Sequence, residues 1–221
     1  MRQLIINKRI SKQKKRKNPF VTYYYPESAL ADQFQMIQTN INFLMSEKMT
    51  QTLMITSPDE GDGKSILLAN IAVSMAQQKK KVLVIDTNLR TPALHDFFHT
   101  TNSSGLTDVL TGRMSFNEAV YHTEIWRLDL LASGSIPINP FELLGSSMMK
   151  DLLIKVKESY DVILLDSTAL LKLPDTKLLA SLCDGVLLVV KNGKTKLQSA
   201  TEAKKMIEFS KAKLIGVILN Q

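Results

Sequence analysis

The sequence is poor in the features that mark secreted and membrane-spanning proteins. Cys183 is the single cysteine among 221 residues, so no internal disulfide can form, and a reducing, cytoplasmic location is expected. No apolar run approaches the length that crosses a bilayer, and Leu4-Ile5-Ile6 is far too short for the core of a signal peptide. Any contact with a membrane is therefore expected to be peripheral or to be made through a partner.

Acidic residues are missing from positions 1–18, where eight of the 28 basic residues lie. Residues 19–221 hold 20 bases against 21 acids, so this arm supplies the excess behind the net charge of +7. A polybasic arm favours an anionic surface (the inner membrane leaflet, nucleic acid or an acidic partner), and a merely solvated arm is the alternative. No aromatic residue alternates with its charges, so specific nucleic-acid binding is not expected. We predict a flexible basic arm over residues 1–25 and one domain over residues 26–221.

Apolar runs alternate with helix-periodic segments through the rest of the chain. The predicted strands are 52–56, 82–86, 128–131, 162–166, 186–190 and 214–219. The predicted helices are 28–43, 64–78, 146–159, 175–181 and 198–210. Several strands are apolar throughout rather than alternating, which is typical of strands buried on both faces. The sequence therefore predicts an α/β fold, with a mostly parallel central sheet and helices on both faces.

A glycine-rich segment, Gly61-Asp62-Gly63-Lys64-Ser65-Ile66, lies between a predicted strand and a predicted helix. Glycines let backbone N–H groups curl around a phosphate, and the start of a helix attracts negative charge. In this pattern the lysine reaches the β- and γ-phosphates and the serine hydroxyl binds Mg²⁺. Pro58 stands where the P-loop pattern has its first glycine, so the match is incomplete. The alternative is an exposed loop with a chance Lys-Ser pair.

Two acids, Asp86 and Asp166, each follow four apolar residues at the end of a predicted strand. An acid in this position is costly in a core unless it lies at the strand tip and faces a cation. In parallel sheets, ligands bind at the carboxyl ends of the strands. Together with Ser65, these acids predict a Mg²⁺ site, and a turn or a helix cap is the alternative for either of them.

The chain resembles the bacterial tyrosine kinases of capsule and exopolysaccharide synthesis, which share a class with the deviant-Walker partitioning ATPases. The segments that carry the resemblance are the glycine loop, 82–92 (similar to Walker A′) with the later His95, 105–110, 133–144, 160–166 (similar to Walker B), 184–195 and 216–220. The resemblance implies a P-loop NTPase fold of the deviant-Walker type and covers nearly everything from Pro26 to Asn220.

The resemblance also implies ATP and Mg²⁺ as cofactors and phosphoryl transfer to tyrosine hydroxyls, the kinase's own included. Lys64, Asp86 and Asp166 would be catalytic, and Asn220 would read adenine. Ser65, Asp86 and Asp166 would hold the metal, with Asn88 as a weak further ligand. The implied partners are the cytoplasmic tail of a membrane chain-length regulator, protein tyrosine substrates and further copies of the chain. The implied location is the inner face of the plasma membrane.

Several positions depart from the family pattern. Asn88 replaces an acid, and Asp32, Gln35 and Gln38 stand where the family has a Glu-x-x-Arg-x-x-Arg motif that contacts a neighbouring subunit. No tyrosine cluster lies near Gln221, and we interpret 23–25 as an aromatic lead-in packed on the domain rather than as substitute acceptors. These departures keep open an ATP-binding switch with little or no kinase activity. A partitioning-type ATPase is a third, less favoured reading.

Overall fold

One sheet of eight strands organises the protein in the computed structural model, which describes residues 3–5, 19–45 and 51–221. The strands are β1 (Gln3–Ile5), β2 (Gln51–Thr56), β3 (Val82–Asp86), β4 (Tyr121–His122), β5 (Leu128–Leu131), β6 (Val162–Asp166), β7 (Gly185–Lys191) and β8 (Leu214–Asn220). Their order across the sheet is β1-β8-β7-β2-β6-β3-β5-β4, and only β4 pairs antiparallel. The predicted, mostly parallel sheet is confirmed.

Ten helices within the described ranges connect and cover these strands. They are α1 (Val21–Tyr24), α2 (Ala29–Leu44), α3 (Lys64–Gln77), α4 (Leu94–Phe97), α5 (Leu106–Leu110), α6 (Phe116–Ala119), α7 (Pro140–Leu144), α8 (Ser147–Val156), α9 (Asp175–Ala180) and α10 (Leu197–Phe209). The five long predicted helices end within a few residues of the predicted bounds. The helices α1, α4, α5, α6 and α7 span four or five residues each, which is too short to show a helical period.

Helices pack on both faces of the sheet, as the apolar strands predict. One face forms a core with α2 and α3, through residues such as Ile41, Leu68 and Ile71. The other face packs against α5, α8, α9 and α10, through residues such as Leu106 and Met149. Each fully buried aliphatic side chain contributes roughly 1.5–3 kcal/mol relative to its exposure. The two cores fix the sheet rigidly enough to position the side chains at its edges.

Parts of the predicted basic arm belong to the packed structure. Phe20 and Val21 are buried, and the hydroxyl of Thr22 donates to the backbone oxygen of Asn70 at 3.4 Å. Residues 3–5 form β1, which pairs in parallel with β8. The rest of the arm lies outside the described residues, so its flexibility stays a prediction.

Because the strands pair in parallel, the two ends of the sheet, where the strands begin and where they end, are different. The strands β2, β3, β5, β6, β7 and β8 all end at one edge, termed here the carboxyl end, and begin at the other, termed the amino end. Strands of five to seven residues separate the two edges by roughly 20 Å. Side chains at the carboxyl end are therefore too far from those at the amino end to contact them.

Candidate active site

The glycine loop follows β2 at the carboxyl end and leads directly into α3. Gly63 adopts φ +88°, a left-handed conformation that favours glycine, and a Cβ atom there would overlap the side-chain amide of Asn220. The first backbone hydrogen bond of α3 runs from the Leu67 N–H to the Gly63 carbonyl at 3.1 Å. The preceding N–H groups, from Lys64, Ser65 and Ile66, therefore lie at the start of the helix, where anions bind.

Asp62 lies inside the loop rather than facing outward. Its side chain is fully buried and accepts a hydrogen bond from the Thr195 hydroxyl at 2.9 Å, while Lys194 Nζ lies 3.2 Å from the carboxylate. Lys194 also donates to the carbonyl of Glu60, and the Asn220 amide donates to the carbonyl of Asp62 at 2.9 Å. These contacts tie the loop to β7 and β8. The sequence motifs gave Lys194 and Thr195 no role in the site, although Gly-Lys-Thr follows an apolar strand.

Asp86 and Asp166 are register partners on the adjacent strands β3 and β6, so the two acids lie side by side. Both are fully buried. Asp86 accepts hydrogen bonds from the backbone N–H groups of Asn88, Ala93 and Leu94, each at 3.1 Å. Burial raises the pKa of Asp86 to about 6, against the opposing effect of these amides and of Lys64.

Asp166 is the less satisfied of the two acids. Neither of its carboxylate oxygens has a hydrogen-bond partner of good geometry. Burial, and then the neighbouring Asp86, raise its pKa to about 7, although Lys64, the Ser65 hydroxyl and the Ser167 N–H lower it. An unpaired buried carboxylate beside a lysine and a serine hydroxyl has the character of a cation ligand.

The two acids and Ser65 fit a magnesium ion that shares its coordination with phosphate oxygens. Mg²⁺ prefers hard oxygen ligands and commonly keeps one or two carboxylates while phosphates and water complete the octahedron. Within residues 19–45 and 51–221 no group of three or more His, Cys, Asp or Glu side chains could hold a metal by itself. The donor set therefore suits a metal brought with a nucleotide better than a resident structural ion.

The side chain of Asn88 is used within its own turn. Its Oδ1 accepts from the N–H and the hydroxyl of Thr91, at 3.3 and 3.1 Å, and its Nδ2 donates to the Thr91 carbonyl at 2.8 Å. Both acceptor positions of the amide oxygen are therefore occupied. The structure brings Lys64, Ser65, Asp86 and Asp166 together, but it gives Asn88 no evident lone pair for a metal.

A further cation at this end, Arg90, was not assigned from the sequence. Its Nε lies 3.0 Å from the carboxylate of Asp175, which is buried at the start of α9. Arg90 follows Asp86 within the Walker A′-like segment, so only its spacing could have indicated it. The ion pair holds the guanidinium near the edge of the sheet where β3 and β6 end.

Gln35 and Gln38, which occupy the family's subunit-contact positions, differ in exposure. Gln35 is exposed on α2. Gln38 is buried, and its amide donates to the side chain of Gln78 at 2.6 Å. A buried Gln38 packs α2 against the end of α3 and is unavailable to a neighbouring subunit.

A surface cavity lies away from this constellation. Aromatic and polar residues line it: Phe20, Tyr23, Tyr24, Phe98, His99, Tyr121, Thr123, Glu124 and Ile125. None of the predicted site residues is among them. The chemistry of the protein is therefore better sought at the glycine loop than in this cavity.

Comparison with known proteins identifies the relatives of this arrangement. Residues 50–215 match the AAA domain family. The chain is 42% identical over 195 residues to the tyrosine-protein kinase YwqD of Bacillus subtilis (strain 168), covering 88% of this chain and 82% of that protein.

Solved structures agree with the sequence match. The kinase domain of the Escherichia coli tyrosine kinase ETK superposes with a TM-score of 0.89 at 27% identity, covering 96% of this chain and 84% of the other. The chimerical protein CapA2B2 superposes with a TM-score of 0.88 at 32% identity, covering 91% and 89%. The predicted fold class and family resemblance are confirmed: the chain belongs to the family of bacterial tyrosine-protein kinases.

Proposed function

We propose that the protein transfers the γ-phosphoryl group of ATP to tyrosine hydroxyls, its own included, at the carboxyl end of the sheet. The observation that carries this proposal is the buried pair Asp86 and Asp166 beside Lys64 and Ser65. Phosphoryl transfer depends on positioning and on neutralising charge, and this group supplies a cation, a hydroxyl and two carboxylates within one small region. Kinase names among the relatives support the same chemistry.

Each residue has a task that follows from its position. The N–H groups at the start of α3 and the Lys64 ammonium would hold the phosphates. Ser65, Asp86 and Asp166 would hold Mg²⁺, which neutralises phosphate charge when it is bound. Asn220 closes over the loop and would meet the base of the nucleotide. Asn88 is proposed only as a weak contributor, because Thr91 occupies its oxygen.

Asp86 is proposed as the group that accepts the tyrosine proton. Its pKa, raised by burial to about 6, makes the carboxylate a stronger base than an exposed aspartate, while leaving it ionised at neutral pH. The backbone N–H groups of Asn88, Ala93 and Leu94 fix its orientation. A fixed base near the acceptor oxygen can take the proton as the new P–O bond forms.

The finer biological setting is also a proposal. The family resemblance supports regulation of capsule or exopolysaccharide synthesis, activation by the cytoplasmic tail of a membrane chain-length regulator, and assembly with further copies. Among the described residues, no helix is long and apolar enough to cross a bilayer. A peripheral position at the inner face of the plasma membrane is consistent with that finding.

An ATP-binding switch with little kinase activity is the second candidate. The observation that favours it is Asn88, which removes an acid from the metal region and turns its amide toward Thr91. A unit charge at about 4 Å is worth roughly 4 kcal/mol at an effective dielectric of 20, so this loss can weaken transition-state stabilisation. A partitioning-type ATPase has no comparable support, because the named relatives are kinases.

Incubation with radiolabelled ATP and Mg²⁺, with and without the activating tail, separates these candidates. We expect phosphotyrosine in the wild type and a loss of about 10²–10⁴-fold in Asp86→Asn, the usual contribution of a positioned base. Asp151→Asn is the matched control, because Asp151 is an exposed carboxylate on α8. Tight Mg–ATP binding by a folded wild type that forms no phosphotyrosine would favour the switch.

A further inference from the structure

The amino end of the sheet carries an unusual combination of basic and aromatic side chains. Five exposed bases and one partly buried base lie in the turns that precede β3, β5 and β8. Two exposed aromatic side chains lie at the same edge, at the start of β5 and the end of α10. We term these residues the amino-end surface: Lys79, Lys80, Lys81, Trp126, Arg127, Phe209, Lys211 and Lys213. None of them is near the glycine loop at the opposite edge.

Two of the bases occupy backbone positions that normally belong to glycine. Lys79 follows the cap of α3 with φ +67°, and Lys211 follows the cap of α10 with φ +59°. Both helices end in the same way. The backbone N–H of Lys80 donates to the carbonyl of Met75, and that of Ala212 donates to the carbonyl of Ile207, each at 3.3 Å. This helix ending strongly favours glycine at the left-handed residue. A lysine there is held in a less favourable conformation.

Arg127 is a third base with positive φ, and it lies in a loop rather than at the end of a helix. Its φ is +64°, and its guanidinium donates to the carbonyl of Lys79 at 2.8 Å while lying 4.3 Å from the Trp126 ring centre. Of the four non-glycine residues with positive φ in the described ranges, three are these bases and the fourth is His99. The strained positions of this end therefore carry positive charge, whereas Gly61 and Gly63 fill such positions in the phosphate loop.

The most exposed aromatic side chains lie at the same edge. Trp126 is 66% exposed and Phe209 is 90% exposed, and Phe209 ends the helix that Lys211 follows. Phe43, 69% exposed, lies near the end of α2, whose next residue, Met45, contacts the start of β2. Aromatic rings beside bases match the interface of an anionic bilayer, where rings sit at headgroup depth and bases meet phosphates.

Acidic residues at this end only partly balance the bases. Glu124, Glu158 and Glu208 are exposed, and Glu208 forms an ion pair with Lys204 at 2.9 Å. Asp161 and Asp184 are directed to the backbone, where they accept from the N–H groups of Lys81 and Thr52 at 2.7 and 2.9 Å. Their charges are thus partly engaged within the fold, and the outward-facing groups retain a positive excess.

We propose that the amino-end surface binds anionic lipid bilayers directly, with Trp126 and Phe209 entering the headgroup layer. The bases belong to separate turns on one edge, which suits a broad planar surface. Docking in this way would leave the carboxyl end, with the glycine loop, directed away from the bilayer. The proposal does not depend on phosphoryl transfer, because the two edges are roughly 20 Å apart.

Trp126 is the single tryptophan of the chain, so its emission reports this surface directly. We expect a blue shift when the full chain meets vesicles containing phosphatidylglycerol, no shift with phosphatidylcholine alone, and loss of the shift at high salt. Lys64→Met should shift like the wild type. Equal shifts with both lipids, or no shift with the anionic lipid, would overturn the proposal.

Glycine variants separate a binding role from a structural one. Lys79→Gly/Lys211→Gly should keep or raise the melting temperature while weakening vesicle partitioning roughly 25-fold, at about fivefold per lost base. Lys79→Arg/Lys211→Arg should restore partitioning. Lys172→Gln/Lys196→Gln, which removes two exposed bases at the other end, is the control with the same loss of net charge. Glycine variants that partition like the wild type would contradict the proposal.

The basic arm must be tested separately because it also favours anionic surfaces. A variant with the eight bases of residues 1–18 changed to Gln should bind vesicles more weakly but retain the Trp126 blue shift. If that variant loses both, the arm and not the folded surface binds lipid. A blue shift with single-stranded DNA or polyglutamate but not with vesicles would identify another class of partner and overturn the lipid assignment.

Discussion

The two ends of the sheet have different residue types at positions where the backbone is left-handed. At the carboxyl end, Gly61 and Gly63 take positive φ without strain, which lets the loop pass close to Lys194 and Asn220. At the amino end, Lys79 and Lys211 take positive φ where glycine would be easier. The first arrangement makes space for a ligand. The second keeps charge on the surface at some expense of stability.

Burial separates the ends further. The acids of the carboxyl end, Asp86 and Asp166, are fully buried with raised pKa values, and the carboxylate oxygens of Asp166 have no hydrogen-bond partner of good geometry. The bases of the amino end are mostly exposed. Unsatisfied buried charge is typical of a site that awaits a ligand, whereas exposed charge acts over a distance on large, charged surfaces.

The largest expected effect is on nucleotide binding at the carboxyl end. Lys64→Met should weaken Mg–ATP binding on the order of 100-fold or more, because it removes charge-assisted hydrogen bonds to phosphate. Isothermal titration measures the affinity, with Lys79→Gly as the control that should bind ATP normally. Unchanged affinity in Lys64→Met would refute the assignment of the phosphate site.

Removing the carboxylate of Asp166 should stabilise the nucleotide-free protein but reduce the stabilisation that Mg–ATP provides. Asp166→Asn should stabilise the nucleotide-free protein by roughly 1–3 kcal/mol at pH 8, because the buried charge disappears. Asp166 has a pKa raised from 3.8 to about 7, so its destabilising effect is absent below the ordinary pKa, grows as pH rises between the two values, and stays constant above the raised one. The gain should therefore shrink toward pH 5.

Urea unfolding at both pH values measures this gain, and the same variant should lose Mg²⁺-dependent stabilisation by ATP. A variant that is less stable than the wild type at pH 8 without nucleotide would show that Asp166 has a structural partner instead. Asp151→Asn, on the exposed face of α8, should change stability little at either pH.

Substitutions at the left-handed residues of the two ends should change the stability of the protein in opposite directions. Gly63→Ala should destabilise the protein by about 1–2 kcal/mol for the backbone conformation alone, and more because the new Cβ overlaps Asn220. Lys79→Gly should have the opposite sign and gain up to about 1 kcal/mol. Denaturant midpoints of the two variants provide the measurement. A loss of stability in Lys79→Gly would mean that this lysine supports the fold.

The smallest effects on stability are expected at the exposed tyrosines. Tyr23, Tyr24 and Tyr25 are exposed, whereas Tyr160 is buried and donates to Asp129 at 2.7 Å. This exposure departs from the packed aromatic lead-in that the sequence suggested, and it makes residues 23–25 accessible as acceptors. If the chain phosphorylates itself, the label should fall there, and Tyr25→Phe should change stability by less than about 0.5 kcal/mol. Mass spectrometry of the labelled chain locates the phosphate. Label on Tyr160 would require local unfolding.

The regular strands and helices of this protein could be predicted from the sequence better than its individual turns. The strands that hold Asp86 and Asp166 have the predicted bounds because four consecutive apolar residues are a strong local signal. The juxtaposition of those acids also followed, since the ends of parallel strands meet at one edge. The use of Asn88 by Thr91 could not be foreseen, because it depends on a turn whose conformation no period encodes.

The contacts that close the glycine loop were equally beyond sequence reasoning. Lys194 and Thr195 reach Asp62 across more than a hundred residues, and only the order of strands in the sheet brings them there. The amino-end surface shows the same limit. Its bases are scattered through the sequence, and their left-handed conformations are visible only in three dimensions.

The carboxyl end of the sheet is expected to bind nucleotide, and the amino end to bind bilayer, independently of each other. Mg–ATP affinity and the Trp126 emission shift on anionic vesicles should be measured for the wild type, Lys64→Met, Lys79→Gly/Lys211→Gly and the combined variant. We predict that Lys64→Met loses only ATP, that the glycine variant loses only vesicle binding, and that the effects add in the combination. Loss of vesicle binding in Lys64→Met, or of ATP binding in the glycine variant, would contradict the claim.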